Sequence, residues 1–346
     1  MTRCSYLLPI RRKILSAVET EELREYLSIL DQVGCEVIVV DGSAPEIFAQ
    51  HHGAWSDQCH HAPVDPRFKY LNDKVNGVHT GVALATNEKI ILADDDVRYD
   101  KIDIEKICAL LDQLDVIRPQ NYLVGTPRCG VRISQRDVPA IFWLPLCAKM
   151  EAARMLINRA TLRNADYPGT CAFRRAMLLK AGEYDGDVLF DNEELIRHFV
   201  RRGARIFYAN DLFISKCPPT FGKWLEQRPR QAYEDFGLRF KTLLFASLFP
   251  IAIAIAFIDP RWLSIVLLSI LVAFAGWMRG RARKYFPFHV CFFAPLWVVE
   301  RTLSTYLAFY WWITRGGYPF GDRVLKKGIG RDWIEGGKVP SAASRE

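Results

Sequence analysis

Lys89-Ile-Ile-Leu-Ala-Asp-Asp-Asp96 is the stretch on which the reading of this chain turns: a short apolar run that delivers three carboxylates in succession. Three adjacent carboxylates repel one another unless a cation sits among them, and hard oxygen ligands suit Mg²⁺ or Mn²⁺. An ion held by one or two carboxylates and open on its other side is a common grip for a diphosphate. The competing reading is a solvated strand-to-loop turn, where Asp is frequent.

Upstream of this stretch the pattern alternates. Ser5 to Ile10 is a short apolar strand ending at Pro9. Ser16 to Val33 is helical, with Leu23, Tyr26, Leu27 and Leu30 at helical spacing and Gly34 as the stop. Glu36 to Val40 is a buried strand that hands Asp41-Gly42-Ser43 to a turn. A second helix and a His/Pro-rich loop from about Gly53 to Arg67 follow, then a helix over Val75 to Ala85 and the strand Lys89 to Ala93. Strand-helix repetition with buried strands predicts an α/β fold with a mostly parallel sheet. Ligands of such sheets lie at the carboxyl ends of the strands, so Asp41 and Asp94 to Asp96 are expected to share one crevice. Downstream, Leu123 to Gly125 and Ala140 to Leu146 suggest further strands or buried segments, Asp166 to Phe173 is turn-rich, and Asp191 to Arg202 is a helix closed by Gly203.

Composition changes after residue 241. Leu243 to Ile258 and Trp262 to Trp277 are uncharged runs of sixteen residues each, separated by Asp259-Pro260-Arg261. Each spans roughly 24 Å as helix against a hydrocarbon core of roughly 30 Å. A transmembrane hairpin over 242–278, with Trp at its borders, is the expectation; a buried helical hairpin in a soluble core is the competing one. Arg279-Gly-Arg-Ala-Arg-Lys284 follows directly, which puts the preceding catalytic unit, 1–241, on the cytoplasmic face of the cell (inner) membrane as part of a multi-pass protein. In 279–346, Phe286 to Ile313 is aromatic but is broken by Pro287, Pro295 and Glu300-Arg301. An interfacial amphipathic helix is preferred there over a third span.

The formal charge is +7, and residues 279–346 carry all of it, twelve Lys/Arg against five Asp/Glu. The main body is neutral, so no nucleic-acid partner is implied; a basic tail beside apolar segments suits anionic lipid. Nine scattered Cys without zinc spacing read as reduced thiols, and His51, His52, Cys59, His60 and His61 as loop residues.

With Pro9, Asp41-Gly42-Ser43, Asn72-Asp-Lys-Val-Asn-Gly77 and Asp94-Asp95-Asp96 in this order, the chain resembles the family-2 glycosyltransferases, most of all the ceramide-glucosyltransferase-like branch. Gly169-Thr-Cys-Ala-Phe-Arg-Arg175, Asp191-Asn-Glu-Glu-Leu195 and Gln227-Arg-Pro-Arg-Gln231 continue the order, over roughly residues 3 to 325. The resemblance implies a GT-A type, Rossmann-like nucleotide-sugar domain followed by membrane helices. It also implies inverting transfer from a nucleotide-diphosphate sugar, UDP-linked first, to a lipid or lipid-linked acceptor. It puts Mg²⁺ or Mn²⁺ on Asp94 and Asp96, and makes Asp191 or Glu194 the general base, Asp191 first by register. Gln227 and Arg230 would close over the diphosphate; Pro9, Asp41, Lys74, Asn76, Asp95, Gly169 and Thr170 would line the substrate site. Two departures stand out: Asp191-Asn192 replaces the usual Glu-Asp, and Gln231 stands where the family has Trp, with Tyr233 nearby.

Each residue also has a structural reading. Asp41 makes an Asx turn, Lys74 is a surface charge, Asp191 caps a helix, and Gln227 and Arg230 belong to a linker. A P-loop nucleoside triphosphatase is excluded, because no Gly-x-x-x-x-Gly-Lys-Ser/Thr loop occurs. A polysaccharide-chain synthase and a non-catalytic membrane adaptor with a decayed transferase body are the alternatives.

Overall fold

Buried strands alternating with amphipathic helices build a mixed α/β layer whose sheet is mostly parallel. The computed structural model describes residues 3–124, 144–162, 164, 170–234, 242–248, 250, 262–320 and 323–328. In chain order the first elements are β1 (Ser5–Ile10), α1 (Ala17–Val33), β2 (Glu36–Asp41), α2 (Pro45–Trp55), β3 (His60–Pro63), α3 (Asp73–Leu84) and β4 (Lys89–Ala93). Then come β5 (Val97–Arg98), α4 (Lys101–Leu111), β6 (Val116–Leu123), α5 (Leu146–Thr161), β7 (Thr170–Arg174), α6 (Arg175–Ala181) and α7 (Asp191–Arg201). The chain continues through β8 (Ile206–Lys216), α8 (Phe221–Glu234), α9 (Trp262–Met278), α10 (Ala294–Arg315), β9 (Tyr318–Phe320) and β10 (Arg323–Leu325).

The sheet order is β3-β2-β1-β4-β7-β6-β8-β5. β3, β2, β1 and β4 run parallel, as do β6 and β8, while β7 lies antiparallel between β4 and β6. One edge therefore collects the ends of β2 and β4 and, because β7 is reversed, its first residue Thr170, opposite Ala93. Lys216 closes β8 at the same edge, opposite Val97.

Local signals explain the early elements. Ser16 accepts from the Glu19 amide as the α1 N-cap, and Gly34 ends that helix at φ 85°, a left-handed position that suits glycine. The His/Pro-rich stretch is not a simple loop: His51 and His52 lie on α2, and His60 and His61 on β3. Leu146 opens α5 rather than closing a strand; 125–143 and Asp166 to Gly169 lie outside the described residues. Among the described residues seven cysteines are free, but Cys217 is disulfide-bonded, contrary to the all-thiol expectation.

Two glycines set how closely α3 approaches the sheet. A Cβ on Gly77 would lie 2.7 Å from Pro9 Cβ, and one on Gly81 2.0 Å from Leu7 Cδ1. Pro9 is thus buried beneath α3 as a packing residue and does not face a substrate.

Among the described residues no helix is long and apolar enough to cross a membrane. α9 has 17 residues, a rise of about 26 Å, and most of Leu243 to Ile258 lies outside the described residues. α9 is held against α5, since a Cβ on Gly276 would fall 1.9 Å from the Leu156 carbonyl oxygen. α10 presents its polar residues inward: Glu300 Oε2 meets Arg228 at 3.6 Å, and Arg301 donates to the Gln231 carbonyl.

Gly77→Ala is expected to lower stability by about 1–2 kcal/mol, because overpacking of about 1–3 kcal/mol against a rigid proline ring outweighs about 1 kcal/mol of helix propensity. Chemical denaturation of the variant beside the native chain checks this.

Candidate active site

The three aspartates after β4 are met by side-chain cations from four separate segments. Lys74, in the first turn of α3, places Nζ 2.6 Å from Asp94 Oδ1. Arg12 lies 2.5 Å from Asp95 Oδ2, and Lys223, near the start of α8, 3.6 Å from its Oδ1. Lys216 stands 3.2 Å from Asp96 Oδ1. Arg12, Lys216 and Lys223 carried no signal in the sequence, since each lies far along the chain from the acids it meets. The acids are fixed by their backbone as well: the Asp96 carbonyl accepts from the Cys217 amide at 2.7 Å, and the Asp95 carbonyl from Arg98 at 2.6 Å.

The ammonium of Lys74 also reaches Asp191 Oδ2, at 3.1 Å. It joins the end of β4 to the start of α7, two segments almost a hundred residues apart in the chain. Asp191 is 4% exposed and is the first residue of α7; the N-cap is Phe190, so Asp191 does not serve as that cap. Burial alone would lower the Lys74 pKa, but the carboxylates of Asp191 and Asp94 overcome it and hold the ammonium charged. Burial works against the charged Asp94 too, yet Lys74 and Lys216 hold its carboxyl well below the usual range. Asp95 is lowered against the same opposition by Lys223 and Arg12.

Glu194 does not join this group. It is 1% exposed and its oxygens take Arg197 at 2.8 Å and Arg201 at 3.4 Å, both on its own helix. Of the two expected bases, Asp191 is the one that shares a partner, Lys74, with the acid triplet among the described residues. Neighbouring Glu193 lies 3.6 Å from Arg118 of β6, which is 1% exposed.

Asp41 ends β2 at the right edge, but its carboxylate is turned into the core. Oδ1 accepts from the Ser43 amide at 2.8 Å, and Oδ2 pairs with His51 Nδ1 at 2.7 Å and His61 Nε2 at 3.3 Å. This is the Asx turn of the structural reading, backed by two buried histidines. Asn76 is likewise occupied, accepting from the Tyr70 amide and donating to the Tyr70 carbonyl, at 2.9 and 3.0 Å. Thr170 spends its hydroxyl on the Pro119 carbonyl at 3.1 Å and Asn121 at 3.3 Å. Asn76 and Thr170 thus both brace the backbone around the site. Gly169 lies outside the described residues.

Gln227 and Arg230 belong to α8, not to a linker. Arg230 donates to the Leu189 carbonyl at 3.0 Å and lies over the rings of Phe190 and Phe320, each 5.8 Å away. It steadies the turn that presents Asp191. Gln227 is half-buried on the same helix. The chain returns to this turn after α10, where Leu189 and Phe190 donate their amides to the carbonyls of Lys327 and Gly328, at 3.0 and 3.1 Å. Tyr233, the aromatic near the altered Gln231 position, faces away and donates to the Lys326 carbonyl.

The donor set at the end of β4 suits a divalent ion. Asp94 and Asp96 supply hard oxygens, and the buried Oδ1 of Asp96 has the Lys216 ammonium 3.2 Å away. That fits an ion which takes one or two carboxylates and completes its shell with phosphate and water. Among the described residues no three His, Cys, Asp or Glu groups converge as an all-protein metal cage.

No family model and no curated protein matches this sequence. Solved structures with partial likeness include a mannosyltransferase from Pyrobaculum calidifontis in complex with GDP-Man and Mn²⁺. It is 16% identical, with 88% of this chain and 86% of that chain covered and a TM-score of 0.46. Glucosyl-3-phosphoglycerate synthase from Mycobacterium tuberculosis, in complex with Mg²⁺ and UDP, is 13% identical, with 62% and 69% covered and a TM-score of 0.36. Scores and identities this low carry neither fold nor activity over to this chain.

Burial opposes charge on Asp41, but hydrogen bonds from His61, Ser43 and His51 bring its pKa down to about 2 from 3.8. A carboxylate with a lowered folded-state pKa stabilises the fold above its unfolded value. That contribution, about 2 kcal/mol, drains away as pH falls from about 4 towards 2. Melting temperature followed over this window is expected to drop steeply for the native chain. Asp41→Asn should start lower at pH 7 and change less across the window.

Proposed function

We propose that the chain is a metal-dependent, inverting glycosyltransferase of the family-2, GT-A type. It moves a sugar from a nucleotide-diphosphate donor to a hydroxyl of a lipid or lipid-linked acceptor. The observation that carries this reading is the Asp94–Lys74–Asp191 chain of contacts, 2.6 and 3.1 Å, which puts a candidate metal motif and a candidate base within one ammonium of each other. A decayed body would have no reason to keep two distant carboxylates converging on one lysine.

Asp94 and Asp96 would hold Mg²⁺ or Mn²⁺, which when bound neutralises the charge gathering on the departing diphosphate. Around them Arg12, Lys216 and Lys223 form a rim of cations that favours an anionic donor over a neutral one. Asp191 takes the proton of the acceptor hydroxyl as the bond from that oxygen to the anomeric carbon forms and the bond to the diphosphate oxygen breaks. Lys74 fixes the position of Asp191, and Arg230 fixes the turn that carries it. A uridine diphosphate sugar is the first donor to try. The placement is the cytoplasmic face of the cell membrane, supported by the apolar segments that follow residue 241 and by the positive charge confined to 279–346.

Purified chain given a panel of nucleotide sugars is expected to release nucleoside diphosphate only when Mg²⁺ or Mn²⁺ is present, and Asp96→Ala to lose that release. Undiminished turnover in Asp96→Ala would remove the metal role. For the base, Asp191→Asn should lower kcat by about 10²–10⁴-fold with little change in donor KM. A loss of that size in Glu194→Gln, with its fold intact and Asp191→Asn active, would move the base to Glu194.

A further inference from the structure

α2 and the edge strand β3 meet through a histidine pair that the transfer chemistry does not use. His52 of α2 and His61 of β3 bring their Nδ1 atoms to 3.3 Å from each other. Asp41 decides which ring nitrogen of His61 carries a hydrogen. Its carboxylate is ionised and can only accept, so the neutral ring of His61 keeps its hydrogen on Nε2 and donates to Oδ2 at 3.3 Å. That leaves the lone pair of His61 on Nδ1, towards His52. A carboxylate behind one nitrogen, with the other nitrogen turned outward, is the arrangement that orients an imidazole for a metal ion. Neighbouring rings hold the pair in place. Phe48 stacks on His61 at 4.4 Å and on His52 at 5.9 Å, and Trp55 meets His61 edge-on at 5.6 Å.

We infer that His52 and His61 form a binding site for a borderline transition ion, Zn²⁺ before Cu²⁺ or Ni²⁺, separate from the oxygen ligands of Asp94 and Asp96. Two nitrogens held about 2.0–2.1 Å from one tetrahedral zinc stand about 3.3–3.4 Å apart, which is the separation of this pair. The rings therefore need not be drawn together. His52, the exposed partner, has only to carry its hydrogen on Nε2. Imidazole suits zinc, copper and nickel, whereas Mg²⁺ and Mn²⁺ prefer carboxylate and phosphate oxygen, so ligand type divides the ions between the two sites. Cys59 does not join the pair: its thiol donates to the Trp55 carbonyl at 3.4 Å, and burial pushes its pKa up to about 12. Among the described residues no third His, Cys, Asp or Glu completes the group, so water fills the remaining positions and the ion stays exchangeable. Bound there, the ion ties α2 to β3, the short edge strand that pairs with β2. Asp41 also accepts from the Ser43 amide, and Ser43 Oγ takes the Arg12 amide at 2.8 Å, so the tie shares a wall with the cations around the acids. The inference goes beyond the transfer reading and does not rest on it.

The full chain, stripped with a chelator, dialysed and kept in excess Mg²⁺, is titrated with Zn²⁺ while its melting temperature is followed. Zn²⁺ is expected to raise that temperature by about 2–4 °C, and further Mg²⁺ to leave it unchanged. His52→Ala, at an exposed position, should fold as the native chain does and lose the response to Zn²⁺. Asp96→Ala, which removes an oxygen ligand of the other site, should keep it. Asp41→Asn should weaken Zn²⁺ about 10–100-fold in calorimetric titration, because the carboxylate behind His61 is gone. Cu²⁺ loaded in place of zinc should give an electron paramagnetic resonance spectrum split by two imidazole nitrogens, a signal absent from His52→Ala. No Zn²⁺ response in the native chain overturns the site and leaves the pair a plain hydrogen bond. A response that survives His52→Ala, or is lost in Asp96→Ala, overturns it by placing the ion elsewhere. Release of nucleoside diphosphate is read separately. A chain that takes Zn²⁺ at the histidines but releases none keeps this site and loses the transfer reading; one that releases it with no response to Zn²⁺ does the reverse.

Discussion

One ammonium group, that of Lys74, holds the candidate site together. Without it, the buried carboxylate of Asp191 and the partly buried one of Asp94 would face each other across a poorly hydrated gap, and both would be driven to take up protons or to move apart. With it, two segments that share no backbone contact in sequence become one electrostatic unit. The surrounding fold serves that placement. Lys74 can stand at the strand ends only because α3 lies so close to β1, and α3 lies so close only because Gly77 and Gly81 leave room for Pro9 and Leu7.

The same economy governs the reversed strand β7. Inserted antiparallel between β4 and β6, it brings the start of a strand to the edge where the other strands end. Thr170 consequently packs beside Ala93 and ties β6 to β4 through its hydroxyl, stiffening the floor under the acids. Asp41 and its two histidines do similar work under β2. These residues stand where a ligand-binding role was expected, and their polar atoms also make the edge rigid.

How much of this was legible beforehand depended on range. β1, α1 with its Ser16 and Gly34 boundaries, β4 and α7 were readable because hydrophobic period and capping are local properties. The convergence of Asp94 with the segment at 191 was anticipated from motif order. Its cause, a shared lysine, was not, because spacing along the chain says nothing about which ammonium will fall between two carboxylates. Arg12, Lys216 and Lys223 were invisible for that reason. β3 was missed because its four residues are two histidines, an alanine and a proline, a poor strand signature that only pairing with β2 rescues. Residue type shows what Asn76 can bind, but not that Tyr70 engages both halves of its amide.

α8 touches four distant places. Lys223 near its start reaches Asp95, Arg230 holds the carbonyl of Leu189, and Arg228 lies 3.0 Å from Glu151 of α5 and 3.6 Å from Glu300 of α10. A rod fixed at both ends and in the middle cannot slip at one joint while the others stay seated. Its middle joint, Arg228 with Glu151, is a pair of buried charges, each of which is costly to leave alone. Inheritance should feel that constraint. A change of charge at Glu300, on a helix that never approaches the acids, leaves Arg228 with Glu151 alone and so loosens one of the joints that align Lys223.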